Sequence, residues 1–217
     1  MFKQRPFLAV VLSIFIHLIF SGCSQQPETS NPSVDYEALR PLLNSERIKL
    51  KFGSYGIDVL ESDAKTRVSN LYSLKKTQKV CRTFAVVNYP EKIDSMFANE
   101  HQAIISGQSI GAVFKQNGWQ IEKHHKYFGE IKMKKSFRRI NELMGNISSS
   151  HLSIHIYVLT VKKTAASFDY ATIAEVHHPQ YLTLADLSEI YPNTVDRFSK
   201  TNHHTQEILE VVFDKMK

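Results

Sequence analysis

Cysteine is scarce: Cys23 and Cys81 are the only two in 217 residues. Two cannot build a disulfide framework, and a chain of this length buries a sufficient core without one. Glycine (8) and proline (7) are few and follow no period, which excludes collagen-like and low-complexity chains. A spanning hydrophobic run is also missing. The apolar stretch from Phe7 to Phe20 has 14 residues and contains His17, whereas a hydrocarbon core roughly 30 Å thick needs about 20 residues of helix. Absent too are an H-E-x-x-H motif, metal-ligand Cys-His spacing and any nucleic-acid-binding motif. With 42% hydrophobic and 22% charged residues, the remainder has the proportions of a globular domain.

Residues 1–22 have three parts: a basic start at Lys3 and Arg5, the apolar run, and a small-residue close at Ser21-Gly22 before Cys23. That layout marks a secretory signal. Phe20-Ser21-Gly22-Cys23 resembles the lipobox of bacterial lipoprotein precursors, with Phe20 standing where leucine is usual. The resemblance covers about a tenth of the chain and implies cleavage before Cys23, whose thiol carries a diacylglyceryl group and whose new amino terminus takes a third acyl chain. At ~0.8 kcal/mol per buried methylene, two chains already anchor stably. Ser24 stands where lipoproteins retained in the inner membrane often carry aspartate, so the resemblance further implies the periplasmic face of an outer membrane. Ser24 to Ser33 reads SQQPETSNPS, a polar segment that cannot repay the entropy of ordering. Residues 23–34 are therefore expected to be a lipidated cysteine and a flexible tether, which spans roughly 17 Å root-mean-square.

Losing residues 1–22 removes Lys3 and Arg5 and no acid, so 27 basic side chains become 25 against 21 acidic, a net +4. Lys123, Lys126, Lys132, Lys134, Lys135, Arg138 and Arg139 cluster in one stretch opposed only by Glu130. Such a run is ordinarily a solvated face. It also suits anionic lipid or an acidic envelope protein as partner, while nucleic acid is not expected.

Within residues 35–217 the periods alternate between two and three-four. Ile48, Leu50 and Phe52 against Arg47, Lys49 and Lys51 predict a strand that returns after Gly53–Gly56 through Ile57 and Val59. Arg67–Leu74 and Lys79–Val87 form a second pair, and Leu152–Val158 with Phe168–Val176 a third. Helices are expected from 91 to about 105, over Phe137–Met144, from Thr183 to Ile190 with Asp186 completing the cap, and from about Val195 to the end. Gly107, Gly111 and Gly118 suggest a loosened segment, and Trp119–Ile131 a mixed strand and loop. Val87-Asn-Tyr-Pro90 echoes Val176-His-His-Pro179, hinting at two related units. The expected architecture is a single α+β domain, an antiparallel sheet built from hairpins with two or three packed helices.

Chemistry-bearing candidates are few. Gly107-Gln-Ser109-Ile-Gly111 matches the G-x-S-x-G pattern of serine esterases, with Asp169 and His177 in that family's chain order. A helix rather than a strand precedes it, which favours a glycine-permitted loop. If the third hairpin pairs about its connection, His151, His155 and His177 or His178 approach one another and suit a divalent metal, although histidines without ligand spacing are ordinarily surface residues. His203 and Glu207 stand one helical turn apart. Cys81, in a strand-like run, reads as a buried, inert thiol. Tyr127, Tyr157, Tyr170 and Trp119 suit a ligand groove or, more ordinarily, a core. These readings lead to an envelope lipoprotein anchored through Cys23, whose domain binds a partner without catalysis and needs no cofactor. A serine hydrolase using Ser109 and a histidine metal module are the alternatives.

Overall fold

The computed structural model describes residues 35–145 and 147–217. Cys23 and the expected signal and tether lie outside the described residues. Short helices α1 (Tyr36–Leu39) and α2 (Asn44–Phe52) lead into strands β1 (Gly56–Ser62), β2 (Thr66–Lys75) and β3 (Gln78–Asn88). Helices α3 (Ala98–Ile105) and α4 (Ile110–Gln116) precede β4 (Gln120–Lys132), α5 (Arg138–Met144), β5 (His151–Lys163) and β6 (Ala166–His177). Helices α6 (Leu184–Ile190) and α7 (His203–Met216) close the chain. All strand pairs are antiparallel, in the order β1-β2-β3-β6-β5-β4. The α+β class with a hairpin-built antiparallel sheet is thus as read from the sequence, with more helices than expected. No helix among the described residues is long and apolar enough to cross a membrane.

The sheet is covered on both faces, so its central strands are apolar almost throughout. On one face Val68, Phe84, Val86, Ile154, Ala174 and Val176 meet Ile140 and Met144 of α5 and Ile208, Val212 and Met216 of α7. Period-two strands place these residues on one side, and the spacing of Ile208, Val212 and Met216 makes the matching helical stripe. The other face packs beneath α2, α3, α4 and α6 and carries the polar residues described below.

The sheet is two three-strand meanders meeting at β3 and β6. An offset of 89 positions carries Val87 to Val176 and Pro90 to Pro179. The same offset carries the paired segment Thr83–Asn88 onto its own partner, Thr172–His177. Each meander is preceded by a helix, α2 or α4, that ends at a left-handed glycine, Gly53 (φ 74°) or Gly118 (φ 75°), a conformation glycine adopts without a Cβ penalty. The repeated α-β-β-β order gives the echo between the two proline-terminated strands a structural basis. The segment containing α5 interrupts the second unit.

Several expectations require correction. Residues 44–52 form helix α2, not a strand: Ile48 is buried while Leu50 is 65% exposed, so the apparent alternation does not mark one buried face. Helix signals were present, since Glu46 accepts a hydrogen bond from the Leu43 amide at 2.6 Å and Gly53 ends the helix. The segment from Gly107 to Gly118 contains α4, and Gln120–Lys132 is one strand with a register shift between His125 and Tyr127 rather than strand and loop. The helix expected from 91 starts later, where Asp94 caps a 3-10 turn over Ser95–Phe97. The last helix starts at His203 with Asn202 as its cap, after a separate 3-10 turn at Asp196–Phe198.

Candidate functional site

Sheet register assembles the site. Across β2, β3, β6, β5 and β4 one row reads Arg67, Val87, Ile173, Tyr157, His125, and the next reads Ser69, Ala85, Glu175, His155, Phe128. A third carries Leu71, Thr83, His177, Ser153 and Glu130. Side chains alternate between faces, so all three rows lie on the face covered by α2, α4 and α6, with Glu130 at its exposed margin. Polar groups placed there are cut off from bulk water and must find partners.

Most of them do. Tyr181 Oη donates to Asn44 Oδ1 at 2.6 Å, and Asn44 Nδ2 donates to Thr83 Oγ1 and Glu175 Oε1, each at 3.1 Å. Tyr157 Oη also donates to Glu175 Oε1 at 3.1 Å. Thr83 Oγ1 lies 3.0 Å from His177 Nδ1. Thr83 Oγ1 accepts from Asn44 and faces His177 Nδ1, while His177 Nε2 is buried with no hydrogen-bond partner among the described residues. His125 Nδ1 and His155 Nε2 are 2.8 Å apart, so one ring donates and the other accepts. Arg47 is held by the Leu39 and Arg40 carbonyls and by Tyr191 Oη.

Burial sets the protonation of this layer. It pushes the pKa of His177 down to about 4, against the pull of Glu175. Burial, with Lys123 and His124 adding to it, lowers His125 to about 4, and His155 is pushed well below the ordinary histidine range, chiefly by burial. For Glu175 burial acts upward, but the charges of Lys123 and Arg47 and the Tyr157 hydroxyl outweigh it and hold the carboxyl below the usual range. At neutral pH the layer therefore holds neutral imidazoles and an ionised glutamate.

Beside this network, between α2, α4 and the sheet, lies a cavity of about 580 Å³ including its mouth. Leu71, Val87, Leu159 and Ile173 form its apolar walls, and Tyr55, Arg67, Lys123 and Glu175 reach it. Arg67 is 1% exposed. Its Nε donates to Ser69 Oγ at 3.0 Å and its Nη1 to the Ile104 and Gln108 carbonyls at 2.8 and 2.9 Å. Among the described residues its Nη2 makes no well-formed hydrogen bond, nor does Lys123 Nζ, which sits 4.4 Å from the Tyr157 ring centroid, nor Tyr55 Oη.

The candidates raised by the sequence are scattered. Ser109 precedes α4 and borders the cavity, but Asp169 and His177 stand eight residues apart on β6, roughly 26 Å along a strand. Asp169 accepts from Thr160 instead. The three residues do not assemble into a triad. His155 and His177 share a face, while His151 lies exposed at the strand end beside Ser150 and His178 accepts from the Gln180 amide. Among the described residues no group of three or more His, Cys, Asp or Glu is placed to hold a metal ion. His203 and Glu207 pair at 3.5 Å on an exposed helix face. Cys81 is buried and its thiol pushed up to about 12 by that burial. Tyr170 and Trp119 pack with Phe97 and Phe114 in an aromatic core, whereas Tyr157 borders the cavity.

The basic stretch does not form one face. Lys123 turns inward to the cavity and Arg139 pairs with Glu61, leaving Lys126, Lys132, Lys134, Lys135 and Arg138 exposed. Asn44, Tyr55, Arg67 and Glu175 were missed by the sequence reading. A signal existed for two of them, because Arg67 and Glu175 fall inside runs read as strands, where a charged side chain beside apolar residues is unusual. No protein-family model matches the chain, and no curated protein matches it.

Proposed function

We propose that this chain is a bacterial envelope lipoprotein, anchored through acylated Cys23, whose α+β domain is a non-enzymatic binding module. The observation that carries the binding part is the cavity between α2, α4 and the sheet, lined by Tyr55, Arg67 and Lys123, whose Oη, Nη2 and Nζ are buried without a well-formed hydrogen bond among the described residues. Buried donors without partners cost free energy, and a ligand acceptor relieves that cost. The anchor rests on the lipobox-like Phe20-Ser21-Gly22-Cys23. The exposed Lys132, Lys134, Lys135 and Arg138 suit an anionic headgroup layer or an acidic envelope partner, each basic group near a charged surface contributing about 1 kcal/mol.

The anchor is tested by fractionation. Wild-type protein is expected in the membrane pellet, and a Cys23→Ser chain, which cannot be acylated, is expected to be uncleaved or lost from mature protein. Equal membrane retention of mature Cys23→Ser protein contradicts the proposal.

Ser109 at the cavity supports a second reading, a hydrolase, since a serine hydroxyl beside a ligand space is where acyl transfer takes place. A fluorophosphonate probe distinguishes the two. The binding module leaves Ser109 unlabelled, and labelling that disappears in Ser109→Ala establishes the hydrolase.

A further inference from the structure

Three properties of the cavity specify its ligand. The first is its set of donors: Arg67 Nη2, on a side chain 1% exposed and near the Tyr89 hydroxyl, Lys123 Nζ, and Tyr55 Oη beside Ser109, none of them in a well-formed hydrogen bond among the described residues. Arg67 cannot turn away to satisfy itself, because Nε and Nη1 are fixed by Ser69 and by the carbonyls of Ile104 and Gln108.

Charge is the second property. The ionised side chains that reach the cavity are Arg67, Lys123 and Glu175, two positive and one negative. Glu175 directs Oε1 to Asn44 and Tyr157 rather than to either cation, and no ion pair within 4.0 Å joins it to them. A single negative charge on the ligand makes the enclosure neutral, whereas a phosphate dianion leaves an excess negative charge among apolar walls. The third property is size and wall chemistry: room for a few heavy atoms between Leu71, Val87, Leu159 and Ile173.

Resting on the binding-module reading above, we propose that this cavity binds the carboxylate of a small, otherwise apolar acid, with Arg67 and Lys123 as its charged donors and Tyr55 as a neutral one. The carboxylate comes from a free short-chain acid or from the last residue of a peptide. Arg67 supplies the directional hydrogen bond because its guanidinium is already immobilised, which lowers the cost of ordering on binding. Lys123, tied to no acceptor, supplies the second charge.

The test uses the full-length protein in detergent with ¹³C-carboxyl butanoate and hexanoate, the matching amides, inorganic phosphate, and acetyl-Ala-Ala, read by line broadening and by calorimetry. Saturable carboxylate binding at least tenfold tighter than that of the amide is expected. Lys123→Met is expected to weaken it about tenfold and Lys123→Arg to retain it. Lys123 donates no hydrogen bond to the fold, so both variants should remain folded, which a thermal melt verifies. Tighter binding of acetyl-Ala-Ala than of hexanoate assigns the carboxylate to a peptide end, and the reverse assigns it to a free acid. Equal affinity for amide and acid, unchanged in Lys123→Met, overturns the anionic class while leaving a binding module intact. Phosphate binding tighter than hexanoate overturns the carboxylate. If no probe binds at about 10 mM, both this site and the binding reading fall, while the Cys23 anchor stands or falls by its own test.

Discussion

Lowering the pH from about 7 to about 5 destabilises the domain by about 2 kcal/mol through His177 alone, enough to lower its melting temperature by about 4–8 °C. An unfolded histidine takes up its proton near 6.5, while folded His177 stays neutral until the pH falls to about 4. Between those values the unfolded chain binds more protons. Stability therefore rises with pH across that window, is complete above it, and is lost as the pH falls through about 4. His155 and His125 act in the same direction. Their 2.8 Å contact needs one ring to accept, and protonating the accepting ring leaves two facing donors with Lys123 and Arg47 nearby. Glu175, held below the usual carboxyl range, adds to the loss at still lower pH. Melts recorded by circular dichroism at successive pH values check this, and His177→Gln should flatten the profile. A melting temperature unchanged from about pH 7 to about pH 5 contradicts the described burial.

Arg67→Met is expected to cost about 3–5 kcal/mol of stability. Arg67 fastens β2 to the loop between α3 and α4 through the Ile104 and Gln108 carbonyls, and methionine leaves both carbonyls and Ser69 without this donor. The Ile104 carbonyl keeps the Gly107 amide as a donor, so the cost falls on the Gln108 carbonyl, the Ser69 hydroxyl and the packing of a side chain 1% exposed. The charge itself works the other way. Among the described residues Arg67 makes no ion pair with a carboxylate, so removing it returns part of the cost of burying a cation. Three hydrogen bonds outweigh that return. Lys123→Met loses no hydrogen bond but removes the charge that does most to hold Glu175 ionised, so it should cost less than Arg67→Met, about 1–2 kcal/mol. Urea unfolding of the two variants separates these terms. An Arg67→Met midpoint equal to the wild type's shows that the carbonyls are satisfied otherwise.

The fold was legible where period and burial agree. Leu152, Ile154 and Ile156 alternate because one face of β5 packs on α5 and α7, and the Thr183–Asp186 cap announces α6. Legibility failed where an amphipathic helix imitated a strand. In α2 the buried residues are Asn44, Arg47 and Ile48, two of them polar, so the helical stripe was hidden from a hydrophobic count. The same reversal hid the candidate site. Arg47, Arg67, Lys123 and Glu175 are residue types normally assigned to solvent, and their inward placement depends on the register of five strands and on the helices above them. No local pattern encodes that register. Charge density along the chain similarly grouped Lys123, which reaches the cavity, with Lys132 and Lys134, which are exposed at and beyond the end of β4.

The central claim is a binding domain held at a membrane by Cys23. The most direct measurement is mass spectrometry of the N-terminal peptide of the protein matured in a bacterial envelope, alongside Cys23→Ser. The account predicts a chain beginning at Cys23, with a diacylglyceryl thioether on Sγ and an acyl chain on its amino group, and no such species from Cys23→Ser. A free Cys23 thiol, either still joined to residues 1–22 or in a chain cleaved elsewhere, contradicts it.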